Sequence, residues 1–139
     1  MSRAGYNEDI DNWQLIRWRG QVASAIRGRR GQAFLRELIA ALDAMPEKRL
    51  IAHELEANGE VCAIGSVGVR RGVDMSALHP QDPDRIAATF GIAEQLVREI
   101  EFMNDEAYWG ADPESRWQHM RSWAAENLRP SQEPTGEAA

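Results

Sequence analysis

Only one cysteine, Cys62, and one lysine, Lys48, stand in this 139-residue sequence. The lone thiol excludes an intramolecular disulfide framework and fits a reducing compartment. No run of about 18 apolar residues occurs, so no segment is built to cross a bilayer, and the first residues lack the basic and apolar segments of a secretion signal. The expectation is a cytoplasmic location with no membrane partner. His53, His79 and His119 lack the spacing of metal ligands, and one cysteine cannot complete a cysteine-rich zinc site, so no metal is expected. The glycines at 65, 68 and 72 lack both the Lys-Ser/Thr ending of a phosphate-binding loop and the dinucleotide pattern, so no cofactor is expected either.

The most informative absence is local. From Asn12 to Arg36 there is no acidic residue, while Arg17, Arg19, Arg27, Arg29, Arg30 and Arg36 all fall there. The whole chain carries −6, so removing those six arginines leaves the remainder twelve units negative. The overall charge argues against indiscriminate coating of nucleic acid, but within a Debye length of about 8 Å a local arginine cluster outweighs distant carboxylates. Fifteen of the sixteen Lys and Arg residues are arginine, which suits forked contacts to phosphate or carboxylate and equally fits the codon usage of a GC-rich genome.

What is present organises into one domain. With 43% hydrophobic residues, the chain is long enough to bury a core. The pattern predicts a mainly α, single compact helical domain over residues 1–128, with a small β-hairpin near residues 49–63 and a disordered tail over residues 129–139. After a lead-in in which Asn7, Asp9 or Asp11 could cap, Leu15, Trp18, Val22 and Ile26 form the apolar stripe of a first helix, with Trp13, Arg17, Ser24 and Arg27 opposite. Gly28-Arg29-Arg30-Gly31 reads as a turn, and a second helix follows from about Gln32 to Met45, ended by Pro46. Asn58-Gly59 marks the hairpin turn, because both residues accept positive φ. The run from Cys62 to Val69 reads as a small-residue helix closed by Arg70-Arg71-Gly72, and Val73 to Gln81 as a loop. Asp82-Pro83 starts a long helix reaching about Met103, stopped by Asn104-Asp105, and Asp112-Pro113 starts the last one. The expected core includes Trp18, Val22, Phe34, Leu38, Leu42, Ile86, Phe90, Val97, Ile100, Trp117 and Met120.

Two candidate sites emerge. Trp13, Arg17, Arg27, Arg29 and Arg30 form a patch suited to an acidic protein surface or a nucleic acid, the arginines contacting phosphate and Trp13 stacking on an unpaired base. Trp109 also looks free to face a partner, while Trp18, Trp117 and Trp123 sit at core spacing. The plain alternative is a solvated face, with Arg29 and Arg30 paired to Glu99, Glu101, Asp105 or Glu106. The second candidate is Cys62 as a nucleophile at a helix start, with His53 or His79 as base and Asp105 or Asn104 as orienter. Against it, buried structural cysteine is common, and Asn104-Asp105 reads first as a helix-terminal cap.

Asn12-Trp13-Gln14-Leu15-Ile16-Arg17-Trp18-Arg19-Gly20, Arg27 to Glu37 and Gly59-Glu60-Val61-Cys62-Ala63-Ile64-Gly65, continuing through Asn104-Asp105 and Arg116-Trp117, resemble a group of short uncharacterised phage and prophage proteins over about residues 6 to 128. More loosely, the Cys-Ala-Ile-Gly run followed by a helix ending in Asn-Asp is similar to a broader set of uncharacterised bacterial proteins. The resemblance implies a phage or prophage setting in a bacterial host and gives no residue a role. The leading expectation is a non-enzymatic binding module that uses the arginine and tryptophan patch to contact a host or phage protein with an acidic surface, or nucleic acid. A cysteine-dependent enzyme using Cys62 and an oligomeric structural or assembly component are the alternatives; the oligomeric state is left open.

Overall fold

Gly31 decides how the first two helices meet. A Cβ there would collide with the carbonyl oxygen of Ala25, so only glycine lets the start of the second helix lie against the end of the first. In the computed structural model, which describes residues 3–4, 12–107 and 110–130, α1 spans Asn12–Arg27 and α2 spans Arg29–Ala44. The expected caps Asn7, Asp9 and Asp11, together with Trp109 and residues 131–139 of the expected tail, lie outside the described residues. The chain changes direction at one extended residue, Gly28 (φ −68°, ψ 166°), and the amide of Gln32 bonds to its carbonyl at once. The expected four-residue turn is thus corrected: Arg29 and Arg30 form the first turn of α2. Buried Gln32 then locks the corner, donating to the Ile26 and Asn127 carbonyls (2.8 and 3.0 Å) and accepting from the Arg129 amide at 2.7 Å.

The hairpin is present and shorter than residues 49–63. Strands β1 (Glu56–Ala57) and β2 (Glu60–Val61) pair antiparallel, with Asn58 and Gly59 at φ 55° and 81°. These are the positive angles a two-residue turn requires. The small-residue helix follows as α3, Ala63–Arg71, closed by Gly72 in the left-handed conformation at φ 75°. Its small residues serve close packing: a side chain at Gly65 would run into the Leu55 carbonyl. A 3-10 turn, Met75–Ala77, interrupts the following loop and is capped by Asp74.

The long helix expected from Asp82 to Met103 is two helices, α4 (Pro83–Phe90) and α5 (Glu94–Asp105). Gly91 at φ 73° divides them, with the amides of Gly91 and Ile92 both turned onto the Ala87 carbonyl at 2.8 and 3.1 Å. This is a left-handed helix ending, which the apolar period runs straight across. The last helix, α6, covers Pro113–Asn127, with Asp112 accepting from the Ser115 amide.

Phe34, Leu35, Leu38 and Leu42 of α2 are the centre of the core, enclosed by Ile64 and Val67 of α3, Ile86 and Phe90 of α4, Leu96, Val97 and Ile100 of α5, and Met120, Trp123 and Ala124 of α6. Trp18 and Trp117, expected in the core, are half-buried at its edge. Trp117 turns its indole N–H to the Leu42 carbonyl at 3.1 Å, and Trp18 lies under the Arg98 guanidinium. α1 is the outlier, since Val22 is the one fully buried side chain it contributes.

Candidate functional site

The outward face of α1 exposes large apolar side chains: Trp13 is 68% and Ile16 64% accessible. Arg17 and Arg27 lie exposed on the same helix, and Arg29 and Arg30 on the first turn of α2. Several arginines elsewhere are matched, although Arg70, Arg85 and Arg129 form no ion pair among the described residues. Arg49 meets Glu60 and Glu114, Arg71 meets Glu37, Arg98 meets Glu94, and Arg121 meets Asp43. Among the described residues none of the six arginines between Asn12 and Arg36 forms an ion pair; Arg30 makes one long bond, 3.4 Å, to the Gly91 carbonyl. The proposed pairing of Arg29 and Arg30 with Glu101 or Asp105 is corrected, because those two carboxylates are occupied by Arg3.

Placement of Arg29 and Arg30 within a helix changes their meaning. The amino end of a helix carries partial positive charge and stabilises acidic side chains, yet α2 has no acidic residue in its first turn and no side-chain cap. Two arginines there add like charge to the dipole. Nearby, Arg17, Gly20, Gln21 and Ser24 of α1 join Ala93 and Gln95 to line an open groove of about 500 Å³. This face combines unmatched cation, exposed aromatic and aliphatic surface, and a bare helix terminus.

The second candidate is assembled at the carboxyl end of α5. Leu96, Val97 and Ile100 continue the apolar face into Glu101, Asn104 and Asp105, which are all buried. Arg3 reaches this face from 102 residues earlier and grips Asp105 with two donors, Nε at 2.5 Å and Nη2 at 2.9 Å. Asp105 Oδ1 also accepts the His53 amide at 3.0 Å and the Asn104 side-chain amide at 2.8 Å. Burial pushes this carboxyl up, but the Arg3 hydrogen bonds and charge, with the His53 and Asn104 donors, overcome it and hold Asp105 below the ordinary range. Glu101 behaves oppositely. Burial raises it to about 8 against the pull of Arg3, Asp105 adds to the rise, and among the described residues neither of its oxygens has a hydrogen-bond partner.

Asn104 and Asp105 do not cap their own helix. Asn104 Oδ1 accepts the Ala63 amide at the first turn of α3, and its Nδ2 donates to the Ile51 carbonyl. The cap is thus supplied to a different helix, which only the tertiary fold reveals. Arg116 completes the joint, donating to the carbonyls of Asn104, Leu50 and Ala111 at 2.9 to 3.0 Å.

Of the nucleophile constellation, the fold brings His53 to Asp105 and leaves the Cys62 thiol bonded to its own helix instead of to the imidazole. Cys62 is the N-cap of α3, where its Sγ accepts the Gly65 amide at 3.4 Å, and it is 1% exposed. His53 sits at φ 73°, its imidazole 68% exposed and Nδ1 3.7 Å from Asp105 Oδ2. Burial lowers the Arg3 guanidinium, but the Asp105 hydrogen bonds and charge, with Glu101, hold it raised overall, and the Cys62 end of α3 adjoins this cluster through the Ala63 amide on Asn104. The described hydrogen bond of Cys62 Sγ is to Gly65, not to an imidazole, and His79 is engaged with its own loop through the Gln81 amide. Arg3 and Glu101 are site residues that the sequence expectations lack. For Glu101 a signal existed, an acid four residues beyond Val97 on the apolar stripe; for Arg3 there was none. No protein-family model, curated protein or solved structure matches this chain.

Proposed function

We propose that the chain is a non-enzymatic binding module of a phage or prophage setting, whose contact surface is Trp13, Ile16, Arg17, Arg27, Arg29 and Arg30 and whose partner is an acidic protein surface. The observation that carries this reading is the pairing of exposed Trp13 and Ile16 with arginines that have no described carboxylate partner. Tryptophan and arginine are the residues that concentrate binding energy at interfaces. The aliphatic Ile16 beside them favours a protein partner over a phosphate backbone, which offers nothing to such a side chain.

The test is cross-linking capture from a bacterial host extract with wild type and three variants. Trp13→Ala and the pair Arg17→Glu with Arg29→Glu should abolish capture of an acidic protein, while Arg121→Glu, removed from an arginine already matched by Asp43, should leave it intact. Equal capture by all four discards this surface. Oligonucleotide titrations run alongside: binding with a log-log salt slope of roughly −3 to −4, the signature of about four phosphates, would replace the acidic protein with nucleic acid.

A further inference from the structure

We infer that the buried cluster of Asp105, Glu101 and the Cys62 end of α3 is a guanidinium-binding site that Arg3 occupies in cis, and that it accepts the arginine side chain of another peptide in competition with Arg3. Asp105 offers both oxygens to a fork of two N–H donors, a geometry an ammonium cannot reproduce. The site is larger than its occupant uses. Arg3 Nη1 stops 3.6 Å from Glu101 Oε2, outside hydrogen-bond range, and among the described residues neither it nor either Glu101 oxygen has a hydrogen-bond partner, although Glu101 is 0% exposed. Buried polar groups are ordinarily satisfied. A guanidinium whose position is not dictated by residue 3 of the chain can centre itself between the two carboxyls and use the acceptors that Arg3 misses.

The surroundings point the same way. Asp105 is held rigidly by the His53 amide and the Asn104 side chain, so the acceptor geometry does not depend on Arg3 alone. His53 keeps an exposed imidazole with Nδ1 3.7 Å from Asp105 Oδ2, and the Cys62 end of α3 is tied to the cluster by the Ala63 amide on Asn104, so a bound arginine would have a polar side chain beside it. Affinity for an outside ligand is reduced by the fraction of molecules in which Arg3 has vacated the site.

The experiment titrates the full-length chain with N-acetyl-arginine amide and, as control, N-acetyl-lysine amide, by calorimetry and thermal melting. Arg3→Ala should bind the arginine probe saturably with a rise in Tm of several degrees, about tenfold or more tighter than the lysine probe. Wild type should bind the same probe more weakly, as competition with Arg3 requires. Asp105→Asn in either background should remove binding. If Arg3→Ala is unfolded alone, circular dichroism reads the same titration: recovery of helix with the arginine probe and not the lysine probe supports the site. Failure of both recovery and binding overturns it. Binding confined to Arg3→Ala, with none to wild type, also overturns it, marking Arg3 as a fixed structural tie.

Discussion

Glu101 makes the folded state sensitive to base. It faces Arg3, Asp105 and Arg98, yet burial dominates and lifts its folded value to about 8 from an ordinary 4.5. A carboxyl whose folded pKa lies above its unfolded one binds its proton more tightly when folded, so its contribution is full below about pH 4.5 and is lost as pH rises toward 8. Asp105 works in the other direction, since its depressed value adds stability that disappears only on acidification below the ordinary carboxylate range. Wild type should therefore melt at its highest temperature near pH 5 and lose stability up to pH 8.5, on the order of a few kcal/mol at about 1.4 kcal/mol per unit. Glu101→Gln should flatten that decline and be the more stable protein at pH 8.5. Parallel melting profiles for the two proteins across this window would show the carboxyl ionised throughout. His53 gives a second residue-scale expectation. Its backbone lies at φ 73°, where a side chain costs roughly 1 kcal/mol, and the bond to Asp105 uses only the backbone amide. His53→Gly should thus raise the urea midpoint modestly, whereas a fall would assign the imidazole a part in holding the fold.

At the level of elements, α2 carries a contradiction that function resolves. Its first turn holds Arg29 and Arg30 where acids belong, so both Arg29→Glu and Arg30→Glu should stabilise the protein by roughly 0.3–1 kcal/mol each while weakening partner capture. Chemical denaturation measures the first effect, and a loss of stability in both variants would mean that these arginines have folding partners after all. The same elements show what was legible beforehand. Asp82-Pro83 and Asp112-Pro113 marked helix starts to the residue, and Asn58-Gly59 marked the hairpin, because capping and positive-φ turns are local chemistry. The break at Gly91 is hidden in the sequence because Ile86, Phe90, Val97 and Ile100 on either side of it are all buried and keep one apolar period. The candidate site was legible in halves. The exposure of Arg17 and Arg27 follows from helical phasing, whereas Arg29 and Arg30, expected in a turn, stand in α2, and the partner of Asp105 is Arg3, a hundred residues away in a segment with no periodicity, with no local rule to connect them.

Across the whole molecule, burial is distributed unevenly, and the uneven part coincides with the proposed contact surface. α2 buries seven residues and packs against helices on several sides, whereas α1 buries only Val22 and leans on α2 and α5 through half-buried Trp18, Ala25 and Ile26. Each fully buried aliphatic side chain is worth about 1.5–3 kcal/mol, so α1 should open without the rest of the fold unfolding. Native-state hydrogen exchange followed by mass spectrometry should show the amides of α1 opening at a free energy at least ~2 kcal/mol below those of α2. Val22→Ala should then lower α1 protection while leaving α2 nearly unchanged, and Leu38→Ala, at the core centre, should cost about 2–5 kcal/mol and lower protection everywhere. A partner docked across Trp13, Ile16 and Arg17 would raise α1 protection toward that of α2, because binding adds the apolar cover this helix lacks. Equal protection of α1 and α2 in the free protein would instead mean that α1 is held as firmly as the core, and its exposed tryptophan is then carried on a rigid face.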